Sequence, residues 1–291
     1  MSTQVVVLDQ VTLTAPFGVR FWDVGSNTPA GPGLLVVAYP NSFPELPTNA
    51  TRSPSGVYSF SGLPGLRRAE NSAGDDAFWS ANPPICPYTI TVRDPQERYL
   101  PYSFSALLPV RGLFGLWSSP LFSALTPDST WLPIFSTVSR PMPGPTAFVR
   151  AQLQDTSQGF AAWAIVTVQA PGLPLRTGLA DDQGVVAISQ PYPEPTGSGL
   201  ESPLGMPKIT DQSWMVEVAV FYSAGKLEQP LPELQQILQQ QPAVAWRDTA
   251  QTSPAQQFQL QFGQDLVLRS LDSTSGNELP VLLVTPVGSP L

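Results

Sequence analysis

The chain has 291 residues, enough for two domains that each bury a core of their own. Hydrophobic residues make up 42% and charged residues only 12%, about half the usual share, so disorder is excluded and the surface must be covered by Ser, Thr, Gln, Pro and Gly or by a neighbouring protein. A net charge of −8 with 14 scattered Lys and Arg argues against nucleic acid and anionic lipid as partners.

The first residues, Met1 to Asp9, have no basic region and no apolar run before a cleavage site. They read as a strand at 4–8, with 11–14 as the alternative, and cytoplasmic synthesis is the expectation. No apolar run approaches the ~20 residues needed to span a bilayer. A first domain is expected over 1–108, with further strands at 19–23, 34–39, 57–60 and 88–93. VRFWD at 19–23 ends on an Asp, a Gly/Ser/Asn/Pro turn follows, and GLLVVAY at 33–39 returns. The segment 63–76 reads as a long polar loop whose far end Phe78 and Trp79 anchor into the core.

Thirty-four prolines punctuate the chain, and prolines mark strand ends, edges and loops. The stretch 109–145 is Pro-rich, apolar and unpatterned, whereas a solvated linker would be polar and rich in Gly and Ser. It must be buried: across the seam between domains, against another subunit, or around its own domain. A partner-docking arm is the favoured reading, with Leu113, Phe114, Trp117, Leu121, Phe122, Trp131 and Phe135 as the interface residues.

A second domain is expected over 146–291, with strands at 147–154, 162–169, 185–189, 214–222, 257–262, 265–271 and 280–285. Residues 256–262 alternate cleanly and read as a hairpin with 265–269. One short helix is expected near 231–241, where Leu234, Ile237 and Leu238 share a face and Pro242 stops it. VRAQLQD at 149–155, a polar turn, AWAIVTV at 162–168 and a Gly turn before 185–188 repeat the pattern of 19–60. The fold class is therefore all-β: two antiparallel β-sandwiches of immunoglobulin-like or transthyretin-like type joined by the Pro-rich segment.

Chemistry is sparse. The chain has no histidine, which removes imidazole bases, nucleophilic triads and most transition-metal sites. The single cysteine, Cys86, excludes an intramolecular disulfide and reads as an inert thiol. Asp75–Asp76 and Asp181–Asp182 are adjacent loop pairs; turn capping is the ordinary reading, with weak calcium binding left open at both. No catalytic residue, cofactor, metal or small-molecule substrate is expected. Among the aromatics, Trp22 and Trp163 lie within strand signals and read as core. Trp117 and Trp131 are the exposed candidates, meeting either protein or sugar, so a carbohydrate-binding or adhesive module is the alternative function.

The pattern at 149–155, 162–166 and 178–185 resembles the carboxypeptidase regulatory-like (transthyretin-like) β-sandwich, which implies fold and no catalysis. The order Asp94-Pro, Arg98 to Pro101, Leu108 to Leu113, Pro120 to Phe122, Arg140-Pro, Val149 to Ala151, Ala161 to Ala164, Gly178 to Asp181 and Pro191 to Pro195 resembles accessory baseplate proteins of phage-tail-like contractile injection systems. That resemblance implies a non-enzymatic protein made in the cytoplasm and assembled, in several copies, against other baseplate subunits of one particle.

Overall fold

From Val19 to Asp23 the extended backbone sends successive side chains to opposite faces. β1 (Gly18–Asp23) turns Val19, Phe21 and Asp23 inward and Arg20 and Trp22 outward. The computed structural model describes residues 14–72, 74–116, 125–141, 146–157, 159–194, 209–225 and 231–287. Of the strand expected at 4–8 or 11–14, only Thr14 lies within them.

The first half contains β1, β2 (Thr28–Pro29), β3 (Leu35–Pro40), β4 (Thr48–Asn49), β5 (Thr51–Arg52), β6 (Tyr58–Ser59), α1 (Arg67–Ser72), α2 (Asp76–Ser80), β7 (Cys86–Arg93), β8 (Tyr102–Leu108) and β9 (Trp131–Ile134). One sheet runs β2-β1-β6-β5 with β9 added to β1, and the facing sheet runs β4-β3-β7-β8. Between them lies a core rich in aromatics, including Phe17, Phe21, Phe60, Tyr88, Tyr102 and Phe104. The polar loop expected at 63–76 instead contains α1 and the start of α2. Glu70 fixes the turn before α1 by accepting from the Gly62 and Leu63 amides, and Asp75 caps α2 by accepting from Ala77 N–H.

The second half contains β10 (Thr146–Asp155), β11 (Gly159–Phe160), β12 (Ile165–Gln169), β13 (Arg176–Leu179), β14 (Val185–Pro191), β15 (Ser213–Phe221), α3 (Leu234–Leu238), β16 (Pro242–Trp246), β17 (Gln257–Gln261), β18 (Leu266–Val267) and β19 (Leu282–Pro286). They form one ten-stranded sheet. It is continuous because β15 changes partner along its length: Ser213–Glu217 face β17, whereas Val220 and Phe221 face Pro242 and Ala243 of β16. The hairpin expected between 256–262 and 265–269 does not form. β17 pairs with β15, and β18 pairs in parallel with β10. The side chains of this core are smaller, mostly Val, Ala and Leu.

The duplication read in the sequence extends through the pairing. β1 binds β6 as β10 binds β14, antiparallel in both cases. The Ala30 N–H donates to Phe21 O as Ala161 N–H donates to Leu153 O. β3 lies between β4 and β7 as β12 lies between β13 and β15. Each first strand also takes a late strand in parallel: β9 on β1, with Asp23 opposite Ile134, and β19 on β10, with Asp155 opposite Val284. With β18 on β10, these are the parallel pairs in sheets otherwise antiparallel. They also give part of the 109–145 stretch a place, because β9 is the closing strand of the first sandwich.

The helix expected at 231–241 is shorter, with Glu233 as its N-cap. Its Leu234, Ile237 and Leu238 join the aromatic core of the first half, together with Trp163, Ile165 and Leu179 of the second. Ser103 N–H donates to Pro232 O, and the Gln240 amide donates to Trp163 O. The helix is thus a bolt between the halves rather than a cap on one.

At Gly184 the backbone has φ +72°, and an added Cβ would collide with the Leu153 carbonyl. Gly263 has a similar φ of +77° but open space around it. Gly263→Ala should cost only the left-handed penalty, about 1 kcal/mol. Gly184→Ala should cost about 2–4 kcal/mol. Thermal or urea unfolding of the two variants side by side checks the difference.

Candidate interaction site

The outward positions of β1 and β9 come together as a half-exposed cluster. Arg20 lies opposite Trp131, and Trp22 opposite Pro133. The two indoles meet edge to face at 5.3 Å between ring centroids and 67° between planes. The Arg20 guanidinium sits 4.0 Å over the Trp131 ring. Its Nη2 lies 3.2 Å from Asp128 Oδ2, and its Nε donates to Thr130 Oγ1 at 3.1 Å. Hydrogen bonds from Thr130 hold the Asp128 carboxyl below its ordinary value. Trp22 Nε1 donates to Asn27 Oδ1 at 3.3 Å, which fixes that indole. Trp22, expected in the core, therefore faces outward. Strand parity sets this, since Phe21 and Asp23 take the inward places on either side.

Directly beneath, Asp23 is 1% exposed and anchors the site from inside. Its carboxylate accepts from Gly25 N–H at 3.0 Å, Ser26 Oγ at 2.6 Å and Tyr99 Oη at 3.1 Å. Arg140 donates to it at 2.5 Å, while its guanidinium also covers the Tyr99 ring at 4.5 Å. Burial alone would raise the Asp23 pKa, but hydrogen bonds from Arg140 and Ser26 and the guanidinium charge outweigh it and leave it below 3.8. Burial, and then the charge of Asp23, push the Tyr99 phenol up to about 12. The second half carries the same device without the arginine. Asp155, 2% exposed, accepts from Ser157 N–H at 2.7 Å and from Ser157 Oγ. Burial, and then the charge of Asp155 and a hydrogen bond to it, push the Tyr222 phenol up to about 12.

The seven interface residues expected in the 109–145 stretch have different fates. Phe135 is 1% exposed and faces its own core, not a partner. Phe114 is half-buried, stacked on Phe104 at 5.3 Å and edge-on to Phe17. Leu113 bridges to Gly18. Trp131 lies at the surface cluster described above. Trp117, Leu121 and Phe122 lie outside the described residues. Of the four described members, Phe135 is buried within the chain, and Leu113, Phe114 and Trp131 are each half-exposed.

The remaining candidates resolve into local structure. Asp75 caps α2, and Asp76 pairs with Arg111 at 2.5 Å. Asp181 accepts from Gln183 and Val185 amides at 2.9 Å, the hydrogen bonds of a tight turn closed by Gly184. Cys86 is a free, half-buried thiol. Among the described residues no three His, Cys, Asp or Glu side chains gather as a metal site, and no helix is long and apolar enough to cross a membrane.

No protein-family model and no curated protein matches the chain. Among solved structures it is similar to the TIE protein of Bacillus anthracis, with 10% identity and a TM-score of 0.25, over 93% of this chain and 34% of that one. It thus spans about a third of that protein. It is also similar to a C-terminal fragment of the pilus adhesin SpaC from Lactobacillus rhamnosus GG, with 11% identity and a TM-score of 0.23, over 94% of this chain and 99% of that fragment. Both likenesses are too loose to bear on function.

Asp23 predicts an acid-labile contribution to stability. Its folded pKa lies below the unfolded value, so the contribution is complete above about pH 4 and fades as pH falls through the folded pKa. The difference in melting temperature between wild type and Asp23→Asn should be largest above pH 5 and shrink toward pH 2. At neutral pH, Arg140→Met leaves the buried carboxylate uncompensated and should cost about 3–5 kcal/mol by urea denaturation.

Proposed function

We propose that the chain is a non-enzymatic assembly protein that docks to neighbouring subunits through the Arg20–Trp22–Trp131 cluster. The observation behind this reading is the cluster itself: two indoles and a guanidinium, fixed in mutual contact on one face of a rigid sheet. Trp and Arg are the residue types that dominate binding energy at protein interfaces, and residues already fixed lose little entropy on binding. A sugar platform needs an open indole face. Here Arg20 takes one face of Trp131 and the two rings stand nearly perpendicular, which favours protein over carbohydrate. The absence of histidine and the low share of charge agree with a chain whose surface is spent on contacts.

The particle we infer is the baseplate of a phage-tail-like contractile injection system. The support for this finer step is the sequence resemblance over the segments between Asp94 and Pro195. In that setting the protein is cytoplasmically made, present in several copies and bound to other baseplate proteins, with no cofactor, nucleic acid or small-molecule substrate.

Co-expression with the sheath, tube and baseplate genes of such a cluster tests the reading. Trp22→Ala combined with Arg20→Ala should leave the purified protein folded by circular dichroism. Its incorporation into particles should fall about tenfold or more. Normal incorporation, or glycan-array binding lost in the same variant, would overturn the docking role.

A further inference from the structure

A second surface, on the other half of the molecule, has the chemistry of self-recognition. β17 reads Gln-Phe-Gln-Leu-Gln over Gln257–Gln261 and has a sheet neighbour on one side, β15. Gln256 O accepts from Val218 N–H and Phe262 N–H donates to Gln212 O, so the even-numbered residues turn their backbone groups toward β15. Gln257, Gln259 and Gln261 turn theirs outward, and among the described residues no strand pairs with that edge. The side chains of all three are exposed.

Open edges are usually protected by a charge, a proline, a bulge or a covering segment. β17 contains no charge and no proline. Its counterpart in the first sandwich, β8, is treated differently. Ser103 N–H is taken by Pro232 O at one end, and Pro109 follows the strand at the other.

We infer that the β17 edge is a homodimer contact in which two copies of the chain pair β17 to β17 in antiparallel register about a two-fold axis at Gln259. The sequence is self-complementary about that residue. Gln257 falls opposite Gln261 of the second copy, Gln259 opposite its own equivalent, and Phe258 opposite Leu260. The outer face then carries a row of neutral amides: Gln259 Nε2 donates to Ser213 Oγ and Gln261 Nε2 to Thr210 O within the chain, which leaves their Oε1 atoms and second N–H groups for the other copy. The inner face places an apolar residue opposite an apolar one and covers Phe258, which is only half-buried in the single chain. No like charges meet along the edge, so the net charge of −8 on each copy acts only at a distance and is screened at physiological salt. Only a second copy satisfies this symmetry with the same residues on both sides. An edge contact of this kind buries little area, so the dimer belongs to the weak, concentration-dependent class.

Sedimentation of the purified protein from about 1 to 500 µM tests this, the range in which weak interfaces populate. The mean mass should climb toward twice the monomer's. Gln259→Lys, which sets two ammonium groups opposite each other across the axis, should weaken the dimer tenfold or more with the melting temperature unchanged. Gln259→Pro should do the same, since the N–H it removes points away from β15; should it prove unfolded, the lysine variant carries the test alone. Ser105→Lys on the β8 edge should have no effect. A wild type that stays monomeric throughout, a dimer indifferent to Gln259→Lys, or one broken by Ser105→Lys overturns the inference.

Discussion

Each half of this molecule is closed by a carboxylate placed where a carboxylate is expensive. Asp23 and Asp155 end the first strand of their units almost wholly out of water, and each gives its Oδ1 to the turn that follows. That turn sends the chain into the returning strand, and beside each aspartate arrives the late strand that closes the unit in parallel. Burial of an ionised carboxylate is tolerated only when it is surrounded by donors. The turn geometry, the reversal of the chain and the seat for the closing strand are therefore one constraint. Replacing either aspartate disturbs all three at once.

The two copies satisfy this constraint unequally, and the difference follows their surroundings. In the first, Arg140 comes back across the closing strand and neutralises Asp23, while Tyr99 is delivered by the loop after β7. In the second, Tyr222, just past the end of β15, faces Asp155, and among the described residues no guanidinium pairs with it. The first half also has the aromatic core and receives α3 from the second, so ties run from the later half of the chain back to the earlier one. Arg176 adds another by donating to the Gly25 carbonyl in the turn after Asp23. The first sandwich is the better braced of the two. It is also the one that holds the Trp22–Trp131 cluster on its outer face.

Much of this was legible in the sequence, and what was missed was missed for physical reasons. Tyr88 to Val92 was visible because half-buried strands must alternate, and Trp214 to Tyr222 through its run of β-branched and aromatic residues. The duplication was visible through its aspartates and glycines, whose roles are local. β9 was hidden because WLPI at 131–134 does not alternate and contains a proline, and nothing local reveals that it pairs with a strand more than a hundred residues earlier. β16 was hidden because Pro242 read as a stop for the helix, whereas it also begins a strand that pairs with Phe221 of β15 and lies between β15 and β19. The apparent hairpin at 256–269 shows the opposite failure. Its local pattern was good, but β15 and β10 offered longer partners to its two arms, and pairing over distance prevailed over the short turn.

Trp22 gives the sharpest instance, because the information needed to place it was present. A hydrophobic residue within a strand suggests core, yet a strand has two faces, and Asp23 had already been recognised as the residue that turns the chain. An aspartate whose carboxylate bonds the following amides is pulled inward with the turn, and period two then sends Trp22 outward along with Arg20. Once outward, the indole has apolar area that a neighbouring side chain can cover. β9 answers by placing Trp131 beside it, and Arg20 fills the remaining angle. The surface cluster is thus a consequence of the buried carboxylate one residue away: the residue that fixes the fold of the first sandwich also decides which aromatic side chains that sandwich shows to the outside.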